Sequence, residues 1–155
     1  MPEIPPAAQV LARRVLRHET GERAEPAALA EAAERADARL RERLASLIGQ
    51  TGYTTLVAHA VRLAQAEVPA LERVSVDALA TGGDPAEGGE GGLHGVREFA
   101  RGVGDAGAAE AGLSAVLAHV IGLLGTFIGE DLALRLIREA WPELPDGQAE
   151  SEERT

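Results

Sequence analysis

The feature that most constrains this chain is a run of nineteen residues, 111–129, that contains no Asp, Glu or Arg. Its apolar side chains recur so densely that, at helical period, they cover nearly every face. A helix of this kind must be enclosed by protein or by lipid. One face carries only small side chains, which let another backbone approach closely: Ser114, Ala118, Gly122, Gly125 and Gly129. We predict that this helix is the centre of a helical domain and that the small-residue face is a packing or interface surface.

Composition limits the partners that the chain can have. The net charge of −10 disfavours nucleic acid and anionic membrane surfaces, because both attract basic proteins. Cysteine is absent, which excludes disulfides and thiolate metal sites. Aromatic residues make up only 3%, so a core would consist of aliphatic side chains, as in helix-on-helix packing. Every basic residue apart from histidine is Arg, a bias typical of GC-rich bacterial genomes.

The order of the segments predicts one helical domain over residues 7–142. Residues 1–6 form a proline-containing leader, and residues 143–155 are expected to be a disordered acidic tail. The first ten residues lack a basic region followed by an apolar run, so they do not resemble a secretory signal. We therefore expect a cytoplasmic protein.

Helical periodicity predicts an all-α fold of about five helices packed around the apolar one. The first spans residues 7–20, with Val10, Leu11 and Val15 as its apolar side, and the second runs from Pro26 to about residue 48. The second carries charges on its outer faces, which predicts a solvated outer helix. The third covers residues 52–68, and the last follows Gly129, whose acidic neighbours Glu130 and Asp131 suit a helix N-terminus.

The region rich in glycine is expected to contain little helix. Eleven of the eighteen glycines lie between residues 81 and 112. The composition of the glycine-rich segment 81–92 predicts a flexible acidic loop, centred on residues 82–92. Residues 93–101 are expected to form a short helix. Residues 102–112 are expected to form a second irregular stretch.

The apolar segment also has a membrane interpretation. Its length approaches the ~20 residues that a spanning helix needs, and residues 125–129 read GxxxG. The absence of basic flanking residues and the central His119 argue against it. Three amphipathic helices also need something to cover, so we favour a buried core helix.

Four polar residues could form a pocket between the third helix and the apolar helix. They are His59, His119, Glu130 and Asp131. Such a set could bind a metal or a small ligand, which makes a sensor domain the alternative function. A buried histidine hydrogen-bonded to a carbonyl is the simpler interpretation.

The stretch from Ala118 to Gly122, followed by Gly129, resembles the phosphotransfer helix of His-containing phosphotransfer domains. That resemblance implies a small acidic four-helix bundle in signalling. The chain departs from the family pattern because Gly122 and Leu123 stand where the family has Lys and Gly, and apolar residues flank His119.

The sequence contains no complete set of catalytic residues in a recognisable motif. Residues 102–107 match GxGxxG, but the preceding residues are helix-like rather than a strand, so we interpret the match as a glycine-rich loop. No serine lies in a nucleophile-elbow setting, and no cofactor is expected. We therefore predict a non-catalytic regulatory, adaptor or self-association module that binds a protein partner or a second copy of itself.

Overall fold

The computed structural model describes residues 6–21, 25–76 and 93–142, and it confirms the all-α fold class. Residues 1–5 of the predicted leader, the loop 81–92 and the tail 143–155 lie outside the described residues, and Pro6, the last residue of the predicted leader, begins the first helix. Five helices are present in the described part of the chain. They are α1 (Pro6–Thr20), α2 (Pro26–Glu67), α3 (Val96–Val103), α4 (Ala106–Ile128) and α5 (Glu130–Ala140).

Glycines with positive φ mark the ends and bends of these helices. Gly21, at φ 74°, follows α1, and Gly129, at φ 97°, separates α4 from α5. Gly49 adopts φ 85° and ψ 160° inside α2, which divides it into a first arm (residues 26–48) and a second arm (residues 50–67). The two helices predicted on either side of residue 49 are therefore the two arms of one kinked helix.

The glycine-rich region is more helical than predicted. α3 extends to Val103, and α4 begins at Ala106, five residues before the apolar run. Gly104 adopts φ 63° and ends α3, while the carboxylate of Asp105 accepts a hydrogen bond from the Ala108 amide at 2.9 Å. The irregular stretch expected over residues 102–112 was wrong, because one tight turn and one N-cap replace it. The GxGxxG match thus lies at a helix–turn–helix junction.

A short irregular connection follows α2. Pro69–Arg73 form a 3₁₀ turn, and Ser75–Val76 (β1) pair antiparallel with Leu93–His94 (β2). The side chain of Gln65 donates hydrogen bonds to the carbonyls of Leu71 and Val74. This amide therefore fixes the turn against the end of α2.

The apolar helix α4 lies at the centre of the fold, as predicted. It contacts α1, α2, α3 and α5, and most of its residues from Ala109 to Leu124 are buried. α1 runs antiparallel to it, because Arg17 bonds Glu110 at 2.7 Å while Ala8 lies in a cavity wall with Gly122. The core consists of aliphatic side chains and three of the four aromatic residues: Tyr53, Phe99 and Trp141.

Two predictions about helix faces need correction. Val10 was expected on the apolar side of α1, but it is exposed, and Ala8, Ala12 and Leu16 are buried with Val15 instead. The first arm of α2 was expected to hold its charges in solvent, yet Asp37 is only 4% exposed. α1 therefore buries the face one position away from Val10, and Asp37 is accommodated in the core because the hydroxyl of Tyr53 donates a hydrogen bond to its carboxylate.

Candidate functional site

The predicted polar pocket is not assembled as expected. His119 is 4% exposed, and its Nε2 lies 3.1 Å from Oε2 of Glu67 at the end of α2. For this nitrogen to donate to the carboxylate, the ring must carry its proton on Nε2. The imidazole is therefore buried and has a polar partner, but that partner is the exposed carboxylate of Glu67 and not the backbone carbonyl that the simpler interpretation expects.

The other three residues of this predicted pocket lie at the surface. His59 is exposed on the second arm of α2, and Glu130 and Asp131 are exposed in the first turn of α5. In residues 6–21, 25–76 and 93–142, no three His, Asp or Glu side chains form a group that could hold a metal ion. The burial of His119 also leaves its ring little access to a phosphoryl donor.

The predicted small-residue face is divided along α4. Ser114 and Ala118 are buried in the core, whereas Gly122 and Gly125 are half-buried. Gly129 is exposed and ends the helix. A Cβ at Gly125 would lie 3.5 Å from the Cα of Glu130, so the small residue lets α5 begin against α4. The N-terminal half of this face packs, and the C-terminal half is open.

A cavity of about 190 Å³ lies over this open half, between α1, α4 and α5. Its polar groups are the hydroxyl of Thr126 and the carboxylate of Glu130, and the remaining walls are small or aliphatic. The hydroxyl of Thr126 donates to the carbonyl of Gly122 at 3.2 Å, so its proton is engaged within its own helix rather than with Glu130. The lining of this cavity is therefore mixed, with polar surface beside the small and aliphatic side chains.

A buried polar network joins the two arms of α2. The hydroxyl of Tyr53 donates to Oδ1 of Asp37 at 2.6 Å, and Arg41 approaches the other carboxylate oxygen at 3.5 Å. Burial, followed by the negative charge of Asp37, raises the pKa of Tyr53 well above its usual value. Asp37 lies four residues after Ala33 and three before Leu40, so it shares a helix face with two apolar residues. That spacing is the sequence signal that could have predicted its burial.

A second polar cluster connects Trp141, which follows α5, to α1 and to the first arm of α2. Oε2 of Glu19 accepts a hydrogen bond from the Trp141 indole at 2.7 Å, and Arg35 pairs with Oε1 at 3.2 Å. The guanidinium of Arg39 lies 5.6 Å from the Trp141 ring centre and donates to the carbonyl of Ala140 at 2.9 Å. The arginines of the first arm are therefore structural at this point, which sequence spacing did not reveal.

The C-terminal end of α4 is the part of the apolar helix that the described fold leaves uncovered. Phe127 is 70% exposed, and Leu123 and Ile128 are only half-buried. Across the turn at Gly129, Leu132 of α5 is 40% exposed. We call Leu123, Phe127, Ile128 and Leu132 the α4–α5 corner.

Within the described residues, α4 is the single helix long and apolar enough to cross a membrane. However, 56% of its most apolar window of 18 residues is buried by the other helices. That burial is typical of a core helix in a folded domain. The accessible apolar surface is concentrated at the α4–α5 corner rather than spread around the helix.

Comparison with known proteins adds no relative to this description. No family model, curated protein or solved structure matches this chain.

Proposed function

We propose that this protein is a non-catalytic helical module that acts through protein–protein contacts, by self-association or as an adaptor. The observation that supports this most is the exposure of Phe127 at 70%. The other three aromatic residues of the chain are buried. Exposed aromatic side chains beside half-buried aliphatic ones are typical anchors of protein interfaces.

The surroundings of Phe127 support the proposal in a second way. It ends a helix whose apolar surface covers nearly every face, so its last turns need an apolar environment. Leu132 extends the accessible apolar surface across the turn at Gly129. A docked partner would cover the α4–α5 corner and complete the enclosure of α4.

The test is sedimentation velocity of the full chain across a wide range of protein concentrations, with two variants. Phe127→Ser is expected to abolish association of the chain, whereas Val10→Ser is expected to leave it unchanged. Val10 is a matched control because it is also an exposed apolar residue on a helix, at 52%. Equal behaviour of the two variants, or a wild-type chain that stays monomeric at every concentration, would count against self-association through this corner.

The sensor alternative has less support from the same geometry. His119 is already paired with Glu67, and the described cavity over α4 is lined by neither His59 nor His119. Metal analysis of the purified protein would revive this alternative if it found a stoichiometric metal.

A further inference from the structure

The outer face of α5 carries a pattern of charge that is complementary to itself. Asp131, Arg135 and Arg138 are spaced by four and three residues, so they share one helix face. All three are exposed, and the opposite face packs into the core through Ala133, Ile137 and Ala140. This face is therefore acidic at its N-terminal end and basic toward its C-terminal end.

These charges have no ionic partner within the described part of the chain. The ion pair that α5 makes with another helix uses a different residue, Glu139, whose carboxylate lies 3.8 Å from the guanidinium of Arg43. The nearby Glu130 sits at the start of α5 and lines the cavity over α4 rather than this face. Asp131, Arg135 and Arg138 remain available to a partner.

We propose that the partner of this face is a second copy of the same chain, with the two α5 helices packed antiparallel about a two-fold axis. This proposal rests on the proposed function, because it takes self-association as the activity and assigns it a contact surface on α5. Asp131 and Arg138 are two helical turns apart, or about 10 Å at 1.5 Å per residue. A two-fold axis between them places Asp131 of each copy opposite Arg138 of the other.

The overall charge of the protein favours this face over others for self-association. Two copies that each carry a net charge of −10 repel one another wherever their acidic surfaces meet. The exposed side of α5 holds Asp131, Arg135 and Arg138, and Arg43 lies 3.8 Å from the adjacent Glu139 and offsets its charge, so this surface is locally not acidic. Leu132, at 40% exposure, borders the stripe and adds apolar contact. Because an eleven-residue helix offers a small interface, the dimer is weak and concentration-dependent.

Charge reversal tests the pairing directly. Asp131→Arg and Arg138→Asp each replace two attractive contacts per dimer by two repulsive ones, so each is expected to raise the dimer dissociation constant roughly tenfold or more. The double variant, Asp131→Arg with Arg138→Asp, restores both pairs and is expected to bring the constant back toward that of the wild type. Arg62→Asp, an exposed position on the second arm of α2, is the matched control. Sedimentation equilibrium measures the constants, and circular dichroism confirms that each variant is folded.

The outcomes separate this inference from the proposed function. If Phe127→Ser abolishes the dimer but charge reversal leaves it unchanged, the α5 pairing is wrong and association through the corner stands. If the double variant is no tighter than the singles, the pairing is also wrong. If the wild-type chain is monomeric throughout, both self-association claims fail.

A crosslinking experiment tests the two-fold axis without relying on charge. The chain has no cysteine, so a single introduced thiol can form a disulfide only with another copy. Arg135 lies close to the proposed axis, so Arg135→Cys is expected to give a covalent dimer on mild oxidation. Arg62→Cys is expected to remain monomeric under the same conditions. Equal crosslinking of both variants would overturn the antiparallel arrangement.

Discussion

Single side chains decide how closely the helices of this fold approach. Gly112 of α4 lies against the ring of Phe99, and a Cβ at this position would be 2.5 Å from its Cζ atom. The ring is itself buried and cannot easily move aside. The approach of α3 to α4 therefore depends on the missing side chain at residue 112.

Substitution Gly112→Ala is expected to destabilise the protein by about 1–2 kcal/mol. Overpacking costs about 1–3 kcal/mol, and the better helix propensity of alanine returns up to about 1 kcal/mol. Chemical denaturation measures the free energy of unfolding. Gly102→Ala is the matched control, because a Cβ there meets nothing within 4 Å. A stability for Gly112→Ala equal to that of the control would contradict the close packing.

The hydroxyl of Tyr53 donates a hydrogen bond to the buried carboxylate of Asp37. Removing this single oxygen atom is therefore expected to lower the free energy of unfolding. Tyr53→Phe leaves Asp37 without this donor and is expected to lower the free energy of unfolding by about 1–3 kcal/mol. Thr55→Ala removes a hydroxyl from the exposed side of the same arm and is expected to change it by less than about 0.5 kcal/mol. Thermal unfolding of both variants checks this difference.

The raised pKa of Tyr53 also predicts how stability changes at alkaline pH. The folded protein holds the phenol neutral, whereas the unfolded chain releases its proton near pH 10. The contribution of Tyr53 to stability is therefore complete below about pH 10 and is lost as the pH rises above it. Because Tyr53 is the only tyrosine, tyrosinate absorbance reports this residue alone. It is expected to appear together with unfolding; titration of the folded protein near pH 10 would refute the buried network.

At the scale of elements, the kink of α2 is set by one glycine. Gly49 adopts φ 85° and ψ 160°, which side chains avoid, and the space around it is open. Gly49→Ala is expected to destabilise the protein by about 1–3 kcal/mol through backbone strain alone. Gly102→Ala again serves as control, and denaturation experiments compare the two. An increase in stability for Gly49→Ala would show that the kink is not needed to bring Tyr53 to Asp37.

Sequence periodicity predicted the positions of the helices better than the side-chain contacts between them. The apolar run, the helix start at Pro26 and the new helix after Gly129 are local signals that the structure confirms, and the break predicted near residue 49 is present as a kink. The helical start of α4 was missed, since glycine content outweighed the capping signal of Asp105. The partners of Glu19 and Glu67 could not be predicted, because they are 16 to 122 residues away in sequence.

For the whole molecule, the central claim is that α4 is the core helix of a folded domain and exposes its apolar surface mainly at the α4–α5 corner. Size-exclusion chromatography with light scattering on the full chain, without detergent, tests this most directly. The expected result is one monodisperse species whose mass rises from monomer toward dimer with concentration. An aggregate that only detergent disperses would mean that α4 faces lipid, and it would contradict the account of its burial.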